Sequence, residues 1–498
     1  MPVEALTYLA LAVLLIAQLG NVVGRRRLAI GRYLAVAACL ATALQLLLAG
    51  YRWQMLPAYG MAGAILFASF VPLADTQRSA AWRLLVRSLA VIGLLPVALS
   101  LLLTWSFPQF TLPAPTGGYG IGSDEYVAVD HSRVETYGDG GGPRELMIRV
   151  WYPASAGKSS SPPVSYFRYP EIRSRAVTRS NPLPPFTFLH LGDIPTHTYW
   201  RAAPADGAFP VIVYTPGLGG GWAAMNTILV EDLVSRGYVV VGIDHTHLGS
   251  AAIFPDGRVI GFDEETRSMM NQPPSDAARS VMQEMMAAES WQGQLEGFKR
   301  LMALMPERGV ALVRQALKVQ QEDQAFVIRH LASLRDAHDW TSTLDLERVG
   351  VMGISLGGVA THATCANTAL CRAGVSLDGF DLAQLDYPPL PVPFLFLARE
   401  ANELFNVSLE TAASDAYAVR IGDTQHFNFF DFSVMSPLYQ KLGVLGRIDG
   451  VLMMQILRDS VGAFFDAHLK AAHAGPMTEP GPYPNAKVWF EHRSGVRR

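Results

Sequence analysis

Cysteine and charge are both scarce in this sequence. Its 498 residues include three cysteines, and only 17% of the side chains are charged. The cysteines lack zinc-ligand spacing, which argues against a structural zinc module. Residues 1–107 contain no lysine, and their eight arginines face only Glu4 and Asp75. Because the whole chain has a net charge of −3, the larger remainder is acidic. An acidic major part argues against nucleic acid as a partner.

Four apolar runs without a charged residue account for most of residues 1–107. They are Leu6–Val23, Tyr33–Ala49, Met55–Ala74 and Ser88–Trp105. Each is close to the roughly 17–25 residues that a helix needs to cross the hydrocarbon layer. Helices of a soluble bundle would show polar stripes, which these runs lack. The sequence therefore predicts a module of four transmembrane helices, with the membrane as a partner.

The arginines beside these runs predict the orientation of the module. A secretory signal peptide would carry positive charge before its apolar core, whereas the arginines follow the first run. By the positive-inside rule, the first and third connections lie in the cytoplasm. Their arginines are Arg25, Arg26, Arg27, Arg32, Arg78, Arg83 and Arg87. We therefore expect a multi-pass protein of the cell membrane, with both termini and the large domain on the extracytoplasmic side.

The cysteines of the large domain agree with this orientation. Cys365 and Cys371 are six residues apart and could form a disulfide, which fits an oxidising compartment. Two free buried thiols are the alternative. Cys39 lies within the second apolar run.

Residues 108–123 are rich in proline and glycine and are predicted to be a linker to a catalytic domain over residues 124–498. Short apolar runs alternate in that domain with helical patterns, as expected for strands buried on both faces of a sheet. The predicted strands are Arg144–Pro153, Phe209–Tyr214, Gly237–Ile243, Arg348–Ile354, Ala373–Leu377, Pro393–Ala398 and Ala416–Ile421. This order predicts an α/β fold with a central, mostly parallel sheet and active-site loops at the carboxyl ends of its strands.

An insertion over about residues 251–345 interrupts this alternation and is mostly helical in pattern. It is rich in methionine, with Met269, Met270, Met282, Met285, Met286, Met302 and Met305. Methionine-rich amphipathic helices can form an adaptable lid that faces lipid. Ordinary packing of the helices over the sheet is the alternative.

The motif Gly353-Ile354-Ser355-Leu356-Gly357 fits G-x-S-x-G and lies between a predicted strand and a predicted helix. In that context the serine occupies a strained turn, and the glycines allow neighbouring backbone to approach closely. The motif predicts Ser355 as a nucleophile, with Gly353 and Gly357 forming the nucleophile elbow. A glycine-rich packing turn is the alternative.

The partners of such a serine follow it along the chain in the order acid, then histidine. Asp378 comes at the end of the next predicted strand, before a glycine. Glu400 and Glu403, after the following strand, are alternative acids. Of the twelve histidines, His426 is the one on the loop after the final predicted strand, where the base belongs.

A glycine-rich loop, Pro216 to Gly220, follows an early predicted strand. In this type of fold, one oxyanion amide comes from such a loop and one from the residue after the nucleophile, here Leu218 and Leu356. A phosphate-binding loop is discounted because the Lys-Ser/Thr ending is missing. His245 and His247 could chelate zinc, but no third ligand pairs with them. Neither a metal nor another cofactor is predicted.

These motifs resemble those of the platelet-activating factor acetylhydrolase family, the calcium-independent group VII phospholipases A2, over most of residues 125–472. The resemblance lies in PGLGG, GISLGG, GVSLDG and HFNFFDF, and in GRIDG followed by GAFFDAHL. It implies an α/β-hydrolase fold and a triad of Ser355, Asp378 and His426. It also implies hydrolysis of short or oxidised acyl chains at the sn-2 position of phospholipids, without a metal. Pro216 and Ile354 replace histidines that are common in the family, and the membrane module is an addition.

The sequence thus predicts a serine ester hydrolase acting on a lipid or another small ester. The departures from the family pattern bear on the substrate, so a general carboxylesterase or polyester hydrolase is the alternative. A different class is a membrane protein whose hydrolase-like domain only binds a lipid or a partner. An incomplete triad would favour that class, and this triad is complete.

Overall fold

The computed structural model of this chain describes residues 2–19, 25–70, 80–138, 140–155, 162–179, 183–334, 337–379, 388–470, 483 and 486–494. These residues divide into two compact units. One consists of Met1–Gln109 and Ser436–Leu438, the other of Phe110–Met435 and Tyr439–Arg498. The second unit contains every residue that the sequence predicts to take part in catalysis.

The first unit contains four helices: α1 (Pro2–Leu19), α2 (Arg25–Ala49), α3 (Leu56–Phe70) and α4 (Ala80–Ser106). Small and aliphatic side chains form its core. Large apolar side chains also face outward from each helix, and Leu9, Leu47, Phe67 and Leu95 are more than half exposed. Apolar outer surfaces of this kind are typical of proteins that contact lipid or another protein.

Within the described residues, length and hydropathy single out one of these helices as a candidate membrane span. Among the described residues, Arg87–Ser106 of α4 is the one segment that is long and apolar enough, while Glu4–Leu15 and Tyr33–Ala49 are shorter apolar helices. The prediction of four transmembrane helices is therefore supported for one. Outside the described residues lie Arg78 and the ends of two predicted runs, 20–23 and 71–74.

The second unit contains an eleven-stranded sheet and a separate two-stranded sheet. Its strands are β1 (Gly120–Val134), β2 (Pro143–Ala154), β3 (Pro163–Ser165), β4 (Pro195–Trp200), β5 (Phe209–Thr215), β6 (Val239–His245), β7 (Ala251–Ile253), β8 (Val259–Gly261), β9 (Leu344–Ile354), β10 (Ala373–Leu377), β11 (Phe394–Arg399), β12 (Ala416–Ile421) and β13 (Val488–Arg493). The order in the large sheet is β13-β12-β11-β10-β9-β5-β6-β2-β1-β4-β3, and β7 pairs with β8.

The six strands from β12 to β6 in this order run parallel to one another. β13 pairs antiparallel with β12, and β2 pairs antiparallel with β6. Every residue of β5 and β6 is buried, as continuous apolar runs predict for strands covered on both faces. The predicted mostly parallel sheet is confirmed, and the parallel strands bring their carboxyl ends to one edge.

The helices after α4 are α5 (Pro170–Thr178), α6 (Thr227–Ser235), α7 (Glu264–Met270), α8 (Asp276–Ala287), α9 (Trp291–Leu304), α10 (Glu307–Leu331), α11 (Leu356–Asn367), α12 (Asn406–Thr411), α13 (Phe432–Met435), α14 (Pro437–Lys441) and α15 (Gly450–Leu469). The insertion contributes β7, β8 and α7 to α10. Its longest helix, α10, packs its buried face against α11 and β5, which is the ordinary packing weighed above. α8 and α9 pack on each other and expose Met282 and Met286. A lid function for them stays a prediction.

The segment predicted as a linker, residues 108–123, is largely held against the second unit. The Thr116 N–H donates to Oδ1 of Asp232 (2.8 Å), and the Gly117 N–H donates to Oγ of Ser235 (2.9 Å). A Cβ on Gly117 would lie 2.1 Å from the carbonyl oxygen of Ser235. Glycine here therefore allows close docking along α6, and β1 begins at Gly120, inside the predicted linker.

Candidate active site

Ser355 occupies a strained turn between β9 and α11. Its φ of 57° and ψ of −126° are unusual for a residue with a side chain. The glycines around it are sterically required. A Cβ on Gly353 would lie 2.1 Å from the carbonyl oxygen of Gly357, and a Cβ on Gly357 would lie 2.3 Å from that of Thr215. The turn thus leaves Ser355 half-buried at the start of a helix.

Asp378 lies directly after β10, the strand next to that of the serine. The Ser355 N–H donates to the carbonyl of Leu377 (2.9 Å), so the two turns are joined through their backbones. Asp378 has a positive φ of 43°, and its own N–H donates to the carbonyl of Leu397 (2.7 Å). Its side chain is buried beside the serine turn.

His426 begins a short 3-10 turn, His426–Phe429, after β12. Its Nδ1 lies 2.7 Å from Oδ2 of Asp378. Gln425 and Asn428 cap this turn reciprocally through side chain and backbone. The rings of Phe427 and Phe430 lie edge-on to the imidazole, with centroids 5.7 and 5.6 Å away. The structure therefore brings together the carboxylate and the imidazole that the sequence predicts as partners.

Burial alone would raise the pKa of the Asp378 carboxyl. The hydrogen bond and charge of His426, the charge of Arg399 and the amide of Asn402 outweigh burial and lower this pKa below its usual value. Asn402 donates from Nδ2 to Oδ1 (3.2 Å), and Nε of Arg399 lies 3.5 Å from Oδ2. Asp378 is therefore held ionised, the state that supports a protonated imidazole.

The alternative acids lie elsewhere. Oε1 of Glu403 pairs with Nη1 of Arg420 at 2.5 Å. The Glu400 carboxylate lies beside Gly422, where a Cβ would be 3.1 Å from its Oε2. The hydrogen bond of His426 therefore goes to Asp378 rather than to either glutamate.

The loop after β5 passes directly over the serine. A Cβ on Gly217 would lie 3.1 Å from Cβ and 3.5 Å from Oγ of Ser355. The N–H of Gly219 donates to the carbonyl of Leu248 (2.7 Å). Within the described part of the chain, the N–H groups of Leu218 and Leu356 donate to no protein acceptor. Both therefore remain available to a ligand at the serine.

Two glutamines of α10 support this loop and were missed by motif reasoning. Nε2 of Gln324 donates to Oγ1 of Thr215 (2.9 Å), and Nε2 of Gln320 donates to the carbonyl of Pro216 (3.3 Å). Both glutamines are buried on the same helix face as Leu317. The sequence signal that could have identified them is a polar residue on an otherwise apolar helix face. A buried amide there requires hydrogen-bond partners in a neighbouring element.

The two histidines of the His-x-His pair at the end of β6 lie in different environments. His245 is buried, and its Nδ1 lies 2.8 Å from Oδ2 of Asp323. His247 has a positive φ of 62°, and its ring stacks on Tyr137. Burial lowers the pKa of both imidazoles. Among the described residues, no three His, Cys, Asp or Glu side chains are placed to hold a metal ion.

Cys365 and Cys371 form a disulfide with a Cα–Cα distance of 5.0 Å. Both sulfur-bearing residues are buried. The bond joins the last turn of α11 to the segment that leads into β10. It therefore connects the helix that follows Ser355 to the strand that precedes Asp378.

Four features define the class of this protein. They are a parallel sheet, a serine on a strand-to-helix turn, an aspartate after the neighbouring strand and a histidine after the last parallel strand. The protein is an α/β-hydrolase. Residues 104–474 match the family described as platelet-activating factor acetylhydrolase, isoform II. The chain belongs to that family and is a serine-dependent carboxylic ester hydrolase.

Named relatives are similar to this chain in sequence, and a solved structure is similar to it in fold. The chain is 22% identical over 387 residues to a platelet-activating factor acetylhydrolase of Cavia porcellus, covering 74% of this chain and 80% of that protein. It is 21% identical over 393 residues to the one from Canis lupus familiaris, covering 73% and 78%. A ferulic acid esterase from Streptomyces cinnamoneus superposes with a TM-score of 0.57 at 23% identity, covering 76% of this chain and 99% of the esterase. That likeness concerns the fold.

Proposed function

We propose that this enzyme hydrolyses the sn-2 acyl ester of phospholipids that carry acetyl or short oxidised acyl chains. Family membership and the name shared by the guinea-pig and dog relatives support this substrate class. The observation that carries the chemistry is the 2.7 Å contact between His426 and Asp378, beside the strained turn of Ser355.

In the proposed mechanism, Oγ of Ser355 attacks the ester carbonyl while His426 accepts its proton at Nε2. Asp378 holds Nδ1 and stabilises the imidazolium that forms. The protonated His426 then donates to the departing lysolipid oxygen. Water, activated by the same imidazole, hydrolyses the acyl-enzyme and regenerates the serine.

The amides of Leu218 and Leu356 form the oxyanion hole in this proposal. Two observations support this proposal. Neither N–H group donates to an acceptor among the described residues, and Gly217 approaches the serine side chain closely. The amino terminus of α11 adds a favourable field for the oxyanion. Backbone donors held by a folded loop need no reorganisation when charge develops on the oxygen.

The test of the nucleophile is Ser355→Ala. We expect loss of p-nitrophenyl acetate hydrolysis and of fluorophosphonate labelling, with unchanged thermal unfolding. Ser342→Ala, at an exposed serine outside the site, is the control and should keep both activities. Near-normal turnover by Ser355→Ala would refute the assignment.

A general carboxylesterase is the second candidate, favoured by Pro216 and Ile354 at positions where the family commonly has histidine. A panel of phospholipids with sn-2 chains of increasing length, compared with simple esters, separates the two. The phospholipase proposal expects higher kcat/KM for acetyl-phospholipid than for simple acetate esters, with a decline as the chain lengthens. Equal values across the panel would favour the carboxylesterase.

We further propose that α1 to α4 form a membrane module and that the catalytic domain lies on the extracytoplasmic side. The apolar outer side chains of the four helices support the first part, and the disulfide supports the second. Ser342→Cys should react with a membrane-impermeant maleimide in intact cells. Labelling only after lysis would place the domain in the cytoplasm.

A further inference from the structure

One helix of the insertion buries a polar side chain where an apolar one is expected. Of the fourteen residues of α9, only Gln294 and Gly297 are buried. Gly297 faces α8, since a Cβ there would lie 2.8 Å from Cβ of Met285. Gln294, 4% exposed, is therefore the one buried side chain of α9 beyond a glycine. A buried amide is costly unless both of its ends are hydrogen-bonded.

Both ends of Gln294 bind the loop after β11. Nε2 donates to the carbonyl of Ala401 (2.8 Å), and Oε1 accepts from the N–H of Glu403 (2.9 Å). These two groups lie on either side of Asn402 in the chain. One side chain of the insertion thus fixes the backbone before and after Asn402.

Asn402 in turn contacts the acid of the active site. It is 3% exposed, and its Nδ2 donates to Oδ1 of Asp378 (3.2 Å) and to the carbonyl of Gly379 (3.4 Å). Its own Oδ1 accepts from the N–H of Leu404 (3.3 Å). Asn402 is therefore locked at both ends, and its amide holds the Asp378 oxygen that His426 does not use.

We propose that Gln294 is a positioning residue for the hydrolytic reaction, acting through Asn402 to orient Asp378 toward His426. This inference rests on the proposed function, in which Asp378 orients the base. The insertion then has a role in the chemistry, because a helix of the α8–α9 hairpin sets the geometry of the acid. Small displacements of catalytic groups lower rates strongly.

Simple anchoring of the hairpin is the alternative role, and the chain supplies a matched control for it. Nε1 of Trp291, one turn earlier on α9, donates to Oε1 of Glu410 (3.0 Å) at an exposed position. That bond also ties α9 to the same side of the domain, but it does not reach Asn402. Trp291→Phe removes it while keeping an aromatic ring.

The decisive variant is Gln294→Met, which keeps the length of the side chain and removes both hydrogen bonds. We expect kcat for p-nitrophenyl acetate to fall about 3- to 10-fold. A change of this size corresponds to the net free energy of roughly one buried hydrogen bond. KM should change little, and Trp291→Phe should keep the wild-type kcat. Asn402→Ala should lower kcat at least as much, and the double variant should be no slower than Asn402→Ala alone, since both act on one contact.

Wild-type kcat in a folded Gln294→Met variant would overturn the inference, as would an equal fall in Trp291→Phe or multiplied losses in the double variant. If Gln294→Met does not fold, Gln294→Glu is the second variant: it loses the donor to the Ala401 carbonyl, keeps the acceptor for the Glu403 N–H and should still lower kcat. A wild-type kcat there would overturn the inference. Ser355→Ala separates this outcome from the proposed function. An inactive Ser355→Ala with an unaffected Gln294→Met refutes only the positioning role.

Discussion

Nδ1 of His426 lies 2.7 Å from Oδ2 of Asp378, although 48 residues separate them in the chain. The order of the parallel strands accounts for this, because their carboxyl ends meet at one edge of the sheet. Asp378 follows β10 and His426 follows β12, with only β11 between them. The intervening strand contributes Arg399 and the loop with Asn402, which both contact the same carboxylate. The carboxylate of Asp378 therefore contacts a histidine, an arginine and an asparagine together, and neither candidate glutamate has this set of partners.

Replacing Asp378 tests this environment directly. Asp378→Asn should lower kcat by about 10²–10⁴, because the amide cannot stabilise the imidazolium and can favour the wrong tautomer. Glu400→Gln should stay within about twofold of wild type, since its carboxylate contacts neither His426 nor Asp378. Hydrolysis of p-nitrophenyl acetate measures both. A large loss in Glu400→Gln with an active Asp378→Asn would reverse the assignment.

The glycine-rich loop offers a second test, with its control three residues away. A Cβ on Gly217 would lie 3.1 Å from Cβ of Ser355, so Gly217→Ala should displace the serine or the loop. We expect a loss of at least about tenfold in kcat, comparable to loss of part of an oxyanion hole. Gly220 has open space at its Cβ position, so Gly220→Ala should keep activity. Equal activities in the two variants would contradict this reading of the loop.

The parts of the site that carry motifs could be predicted because local context specifies them. A glycine-flanked serine between a strand and a helix has one geometry available, as the contacts of Gly353 and Gly357 show. The positions of Asp378 and His426 then follow from strand order. The assigned catalytic roles stay predictions until variants are measured.

The supporting groups could not be predicted because they come from distant elements. Gln294 and Ala401 are 107 residues apart, and Gln320 and Pro216 are 104 apart. Neither pair belongs to a motif, and tertiary packing alone brings them together. β13 was missed for a related reason: an edge strand from the tail is half-exposed, and its short alternating pattern is weaker than that of a buried strand.

The disulfide makes a prediction that also bears on cellular location. Alkylation of the unfolded, unreduced protein should label one cysteine, Cys39, and reduction should expose two more. Replacing Cys365 and Cys371 together by serine should destabilise the catalytic unit by about 2 kcal/mol, because the bond closes a short loop. Thermal unfolding with and without reductant measures this. Three labelled cysteines before reduction would show that the bond is absent in the cell.

Two fully buried aspartates predict opposite responses to the same substitution. Asp323 accepts from Arg144, Arg133 and His245 at 2.7 to 2.8 Å. Burial would raise the pKa of its carboxyl, but the charge of Arg144 and the hydrogen bonds from His245 and Arg144 lower it. Asp431 accepts from the Tyr166 hydroxyl (3.1 Å) and the Ile228 N–H (3.4 Å), which are neutral donors. Burial therefore raises the pKa of Asp431 well above its usual value.

The pH dependence of stability follows from the difference between the folded and unfolded pKa values of each aspartate, and an unfolded aspartate has a pKa of about 3.9. The lowered pKa of Asp323 gives stability that is present above about pH 4 and lost as the pH falls below it. The raised pKa of Asp431 gives stability that is present below about pH 4 and lost as the pH rises through the folded-state value. At pH 8, Asp323→Asn should therefore cost about 3–5 kcal/mol, because Arg144 and Arg133 lose their buried partner. Asp431→Asn should be neutral or raise the unfolding temperature, increasingly so from pH 6 to pH 9, because it removes a carboxyl that stays protonated in the folded state but ionises in the unfolded state. Thermal unfolding of both variants across that pH range measures these effects. A stable Asp323→Asn together with a destabilised Asp431→Asn would contradict the electrostatic roles given to these two carboxylates.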